Sequence, residues 1–202
     1  MNYLAIDTSG SHLTVIARGE RGEYTYFSED CSLRHSVVLM GAVEEALKKA
    51  DLKKEEIDVF CCCLGPGSFT GIRIGVATAK ALCFAFGKKI LGVTAFDALA
   101  YDNTDEFSLA LIDARHDHAY AAGYHGRKVV LPPAYLSVAE ILKLTGEYKP
   151  ISSAPIAGLE CKTVSLPDGF RAAVEANLGT ASEDLDSVVP LYVRKSQAEE
   201  GR

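Results

Sequence analysis

The stretch CCCLGPGSFTGIRIGVATAKALCFAFG, residues 61–87, constrains the fold of this chain more than any other. It opens as an apolar run, breaks on Gly65, Gly67 and Gly71, and continues with helical spacing from about Gly71 to Phe86. A strand that feeds a helix through a glycine turn implies a layered α/β architecture. Backbone N–H groups at such a helix N-terminus can hold an anion, and the same residues can equally form a tight strand-to-helix turn. Neither common phosphate motif is met. Counted from Gly65, Thr70 stands where both the Walker loop and the dinucleotide fingerprint need glycine, and no lysine follows before Lys80. The next strand, KKILGV, carries no acid that could hold a ribose.

The flanking sequence fills in the layers. YLAIDTSGSHLTVIARG reads as strand, tight turn, strand, and GEYTYFSED as a third strand. SLRHSVVLMGAVEEALKKADL has helical period with Ser32 as its cap. Its core stripe is expected at Leu39, Met40, Val43, Leu47 and Ala50, with Arg34, Val38, Gly41, Glu45 and Lys48 on the opposite side. DVFCCCLG is a fourth strand, apolar on both faces as in a covered sheet. KKILGV is a fifth, and AFDALAY begins a short helix. The order is βββαβαβα over residues 1–102. Residues 103–202 form a smaller, irregular second subdomain. It holds two or three strands turning at His125-Gly126-Arg127, helices in SVAEILKLTG and FRAAVEANLG, a last strand in VVPLYVRK and a loose polar tail. No strict internal repeat is expected.

The chain has 202 residues, 48% of them hydrophobic, enough for a sizeable core. A formal net charge of -6 argues against gripping a nucleic-acid backbone directly. Met1-Asn2-Tyr3-Leu4 lacks a basic leader region and no apolar run approaches the ~18 residues of a membrane span, so a cytoplasmic protein is expected. Cys61, Cys62 and Cys63 are consecutive and make neither a disulfide framework nor a zinc spacing. They read as small buried hydrophobes in a reducing compartment.

Three groups of residues are candidates for function. Asp7, Thr8 and Ser9 end a buried strand at a glycine turn, which suits a nucleotide phosphate or its magnesium; a polar hairpin turn is the alternative. With Gly65, Gly67 and Ser68 they form the candidate nucleotide set. The second group lies on the two long helices. From Gly71 to Phe86 the only charges are Arg73 and Lys80, and beside them on that face fall Val76, Ala77 and Phe84. With Arg34, Val38, Gly41, Ala42 and Glu45 of the first helix, these suggest a docking surface that would complete a four-helix bundle with a partner. The alternative is that the second half covers it. Third, Asp113, His116, Asp117 and His118, with His125 near, could form a metal cluster, but no third ligand has evident geometry and solvated hairpin residues are favoured. His35 beside Ser36 reads as a helix-start residue rather than half of a nucleophile pair. No catalytic residue and no metal ligand are assigned.

The segments LAIDTSGSHLTVIARG, RHSVVL, LGPGSFTGIRIGVATAKALCFAFGKKILGVTAFDALAY, IDAR and PLYVRKSQAE, in that order, resemble the TsaB family. These are partner subunits in bacterial synthesis of threonylcarbamoyladenosine on tRNA, earlier labelled glycoprotease homologues. The resemblance implies the actin-like ATPase and sugar-kinase (ribonuclease H-like) fold, with two related βββαβαβα-type subdomains and the second reduced. ATP normally lies between the halves of that fold, and a reduced second half implies an incomplete site. The catalytic relative in the same pathway carries an H-x-x-x-H metal pair just after the fifth strand, where this chain has Ala95 and Leu99, and neither can bind a metal. The implied role is a non-catalytic subunit that docks onto the metal-binding, TsaD-type threonylcarbamoyltransferase, with a TsaE-type ATPase as third component. The donor would be threonylcarbamoyl-adenylate, tRNA would be contacted only indirectly, and the chain alone would form a homodimer. No tightly bound cofactor is expected; an adenine nucleotide at the partner interface is a weaker expectation. The competing reading is a stand-alone small ATPase or kinase of this fold, or a peptidase.

Overall fold

The computed structural model describes residues 1–32 and 34–194. They build two compact units, each with a five-stranded sheet. The first unit comprises Met1–Thr94 and Val174–Pro190. Its strands are β1 (Tyr3–Asp7), β2 (Leu13–Arg18), β3 (Glu23–Ser28), β4 (Val59–Cys63) and β5 (Lys89–Val93), in the order β3-β2-β1-β4-β5. The first three run antiparallel, and β4 and β5 add in parallel. Every residue of β1 and β4 is buried, which explains why both read as unbroken apolar runs.

Helices α1 (His35–Lys49) and α2 (Phe69–Phe86) pack on this sheet in one core cluster with Leu4, Ile6, Val15, Phe60 and Cys62. Ser68 caps α2 by accepting the Gly71 N–H, and Gly87 ends it in the left-handed region at φ 62°. Among the described residues no side chain caps α1: Arg34, not Ser32, stands at its start, where the turn is held by the Arg34 N–H on the Cys31 carbonyl. Met40, expected in the core, is exposed because the buried stripe runs through His35, Leu39, Ala42, Val43, Ala46 and Leu47. α2 is long and apolar enough to cross a membrane, although no such run stood out in the sequence, where Arg73 and Lys80 interrupt it. Its buried stripe sits in the core of this unit.

The second unit comprises Ala95–Ala173 and the residues from Leu191. Helix α3 (Ala95–Ala100) falls here, so the contact boundary lies after Thr94 rather than near residue 102. The strands are β6 (Phe107–Asp113), β7 (His118–His125), β8 (Lys128–Ser137), β9 (Lys149–Ser152) and β10 (Lys162–Thr163). Helix α4 (Val138–Leu144) precedes β9, with Ser137 and Glu140 closing a capping box at its start. α5 (Leu166–Asn177) follows β10. The order β10-β9-β6-β7-β8 repeats that of the first sheet, strand for strand and direction for direction. The two sheets thus repeat one topology, in keeping with the related subdomains that the family resemblance implies, although the residues themselves carry no strict repeat. The reduction is local: α2 joins β4 to β5, whereas residues 153–161, between β9 and β10, hold no helix.

One strand carries an unusual residue pair, and one further expectation is corrected. β8 runs through Pro132 and Pro133, tolerated because it is an edge strand. VVPLYVRK is not a strand over its described residues, and Pro190 cannot donate to a ladder. Its last residues, with the polar tail, lie outside the described residues.

Candidate docking surface and the glycine loop

The two long helices of the first unit each bury one stripe and expose another. On α1 the exposed stripe carries Val37, 77% exposed, and Met40, 42% exposed, beside Gly41. A Cβ built on Gly41 would meet no atom within 4 Å, so nothing among the described residues uses the close approach this glycine permits. On α2 the exposed stripe is Arg73, Ala77, Ala81 and Phe84, the last 84% exposed. Burying a side chain such as Phe84 is worth roughly 1.5–3 kcal/mol relative to leaving it in water. Leaving it out on a helix already rich in small residues marks the face as one that gains by being covered.

Arg34, Gly41, Glu45, Arg73, Ala77 and Phe84 are exposed, and Lys80 is half-buried. Glu45 accepts a hydrogen bond from the Tyr24 hydroxyl at 3.0 Å, and the Arg73 guanidinium lies 5.7 Å over the Phe69 ring. Ala42 and Val76 are corrections: both are buried, one turn round from the outer stripe, and belong to the core cluster. Val38 is half-buried against that same cluster. In exchange the structure adds Val37, Met40 and Ala81. Their signal was present in the sequence: moving the α1 stripe round by one position would have turned Met40 outward.

The glycine loop and the first hairpin are locked together. Asp7, Thr8 and Ser9 are buried. Asp7 Oδ1 accepts the Ser9 N–H at 2.8 Å, and its Oδ2 lies 3.0 Å from His12 Nε2. Burial alone would push the Asp7 carboxyl up, but the His12 imidazole and the Ser9 hydrogen bonds outweigh it and hold the carboxyl below its ordinary value. Thr8 Oγ1 donates to the Gly71 carbonyl at 2.7 Å, and the Ser68 N–H donates to the Ser9 carbonyl at 2.6 Å. A Cβ on Gly67 would stand 2.1 Å from the Ser9 carbonyl oxygen, and one on Gly71 2.0 Å from that of Thr8. These glycines let one backbone lie against another. The polar atoms proposed for a phosphate, on Asp7, Thr8, Ser9 and Ser68, bond instead to one another and to Gly71 and His12. His35 is buried, with its Nε2 donating to the His12 carbonyl at 2.8 Å, so it braces the same hairpin.

Other candidates are dispersed. His118 donates from Nδ1 to the His116 carbonyl at 2.6 Å and stacks on Tyr135. His125 stacks on Phe107 and pairs with Glu106. Among the described residues no three His, Cys, Asp or Glu side chains are placed to hold a metal. Ala95 and Leu99 are buried in α3. Burial pushes the Cys61 and Cys63 thiols up, that of Cys62 to about 12 and that of Cys83 to about 11, so none is a ready nucleophile.

Residues 27–173 match the family described as TsaD: tRNA N6-adenosine threonylcarbamoyltransferase. The chain is 29% identical to the tRNA threonylcarbamoyladenosine biosynthesis protein TsaB of Bacillus subtilis (strain 168), covering 98% of this chain and 96% of that one. Among solved structures it is similar to an uncharacterized Pseudomonas aeruginosa protein with similarity to peptidase YeaZ, at TM-score 0.78 and 20% identity over 96% of this chain and 99% of that one. It is likewise similar to YeaZ from Pseudomonas aeruginosa, at TM-score 0.75 and 21% identity over 95% and 99% of the two chains. At those identities the structures establish a shared fold.

Proposed function

This chain belongs to the family described as TsaD: tRNA N6-adenosine threonylcarbamoyltransferase, and from that premise we propose that it is a non-catalytic subunit in the synthesis of threonylcarbamoyladenosine on tRNA. The full-length similarity to a TsaB protein supports the pathway. One observation carries the role: the exposed apolar faces of α1 and α2, with Val37, Met40, Gly41, Ala77 and Phe84, form a surface suited to two helices of a partner. That partner is the TsaD-type catalytic subunit. The buried Ala95 and Leu99 support the non-catalytic half of the reading, since neither offers a metal ligand. A TsaE-type ATPase joins as third component, and the chain alone self-associates through the same face. tRNA contact falls to the partner, in keeping with a net charge of -6, and the setting is the cytoplasm. An adenine nucleotide at the interface would be held mainly by partner groups, because Asp7, Thr8 and Ser9 are engaged within the chain.

The test is the mass of the complex. The full chain is mixed with a TsaD-type subunit and sized by chromatography with light scattering. A stoichiometric complex is expected with the native chain, and none with Gly41→Arg or Ala77→Glu, both of which should melt as the native chain does. An unchanged complex mass for both variants would sink the docking proposal. Calorimetry of the chain alone with ATP should show no micromolar binding; tight binding would favour the stand-alone ATPase.

A further inference from the structure

The second unit carries its own counterpart of the first hairpin, and there the counterpart is open. Ile6-Asp7 with His12 five residues beyond the aspartate recurs as Ile112-Asp113 with His118. In both, the aspartate Oδ1 accepts the N–H two residues on, at 2.8 Å from Ser9 and 2.9 Å from Arg115. In the first unit His12 then turns onto Asp7, and the Ser68 N–H closes over the Ser9 carbonyl. In the second, His118 turns to the His116 carbonyl instead. A cavity of about 250 Å³ is left, lined by Asp113, Arg115, His116, Asp117, Val138 and Ile156 among others. At the corresponding helix start the first unit has His35, buried against the hairpin, where the second has the smaller Val138.

The chemistry of this lining has two parts. One part offers both signs of charge: among the described residues the Arg115 guanidinium and the Asp117 carboxylate take part in no side-chain hydrogen bond or ion pair, and Asp113 keeps one carboxylate oxygen without a partner. The other part is apolar, from Val138 and Ile156. A simple anion would be opposed by the two aspartates, and a simple cation by the arginine. A ligand that carries a carboxylate and an ammonium on one carbon, with a short side chain, satisfies both parts of the lining.

We propose that this cavity is a binding site for a small zwitterion of the α-amino acid class. The ligand carboxylate pairs with Arg115, its ammonium with Asp113 and Asp117, and its side chain lies against Val138 and Ile156. The proposal does not depend on the docking of α1 and α2.

The experiment is an NMR titration of the full chain with L-valine, followed in parallel with isovalerate, which lacks the ammonium, and isobutylamine, which lacks the carboxylate. Saturable shifts are expected for the amides of residues 113–118 and 138, with a millimolar or tighter dissociation constant for L-valine. Each single-charge analogue should bind at least about tenfold more weakly. Arg115→Gln and Asp117→Asn, both at exposed positions, should each weaken L-valine by about tenfold and leave the melting temperature unchanged. Absence of saturable shifts with L-valine would overturn the proposal. So would isovalerate or isobutylamine binding as tightly as L-valine, since either marks a site for a single charge.

Discussion

The two hairpins of this chain start from the same few residues and end in opposite states. In the first unit the aspartate, its histidine partner and the turn are sealed under a glycine loop; in the second the same aspartate faces a cavity. The difference traces to the segment after the fourth strand of each sheet. β4 leads into Gly65 and Gly67 and then an 18-residue helix with Gly71 in its first turn, whereas β9 leads into a short irregular segment with Ile156. A glycine-rich connection can press its backbone onto a neighbouring turn, and a connection with side chains in that place stands off. A polar turn beside a glycine loop is thus no sign of a phosphate site until it is known whether the two backbones touch.

The largest effect should come from prying the sealed hairpin open. Gly71→Val or Gly67→Val puts a side chain onto a carbonyl oxygen, and should cost about 3 kcal/mol or more in urea unfolding. Gly146→Ala in the second unit meets no atom within 4 Å and should leave the midpoint nearly unchanged. Equal losses for these substitutions would end the contrast between the units.

Next in size is the aspartate pair. Asp7→Ala removes a buried, doubly hydrogen-bonded carboxylate and should cost about 2–3 kcal/mol, whereas Asp113→Ala at the exposed hairpin should cost under about 1 kcal/mol. pH sharpens this comparison. The folded Asp7 carboxyl titrates below its unfolded value, so its contribution is complete above the ordinary carboxylate range and is lost as pH falls through the folded value. The native chain should therefore lose stability on acidification, and Asp7→Asn should flatten that part of the profile. An unchanged acid limb in Asp7→Asn would show that the Asp7–His12 pair does not carry it.

The smallest effect concerns α1. Gly41→Ala fills open space in a helix interior and should stabilise the isolated chain by up to about 1 kcal/mol. If the same change weakens the complex with a TsaD-type subunit, the glycine is kept for the partner and not for the fold. A gain in both would remove Gly41 from the interface.

Much of the first unit was legible in the sequence because its signals are local. Apolar runs that alternate with turn residues located β1, β2 and β4, and the 3.6-residue period located α1 and α2, the latter from about Gly71 where the helix starts at Phe69. The second unit was harder. β9 and β10 together hold six residues, and VVPLYVRK has a strand's pattern without a strand's hydrogen bonds among the described residues. The exposed face of α1 and α2 was half legible: Phe84, Ala77 and Gly41 came from helical spacing, but Ala42 and Val76 went to the core. A projection gives the order of residues round a helix and leaves open which arc the sheet covers.

The sequence by itself determined the α/β layering and the strand–glycine–helix unit, since each depends on residue type and spacing along a few turns of chain. Only the tertiary structure decided that the glycines serve backbone contact with Thr8 and Ser9, and that one hairpin is closed and the other open. Those outcomes depend on which backbones come within hydrogen-bonding distance across some sixty residues of chain, between Ser9 and Ser68, and no local pattern encodes that distance.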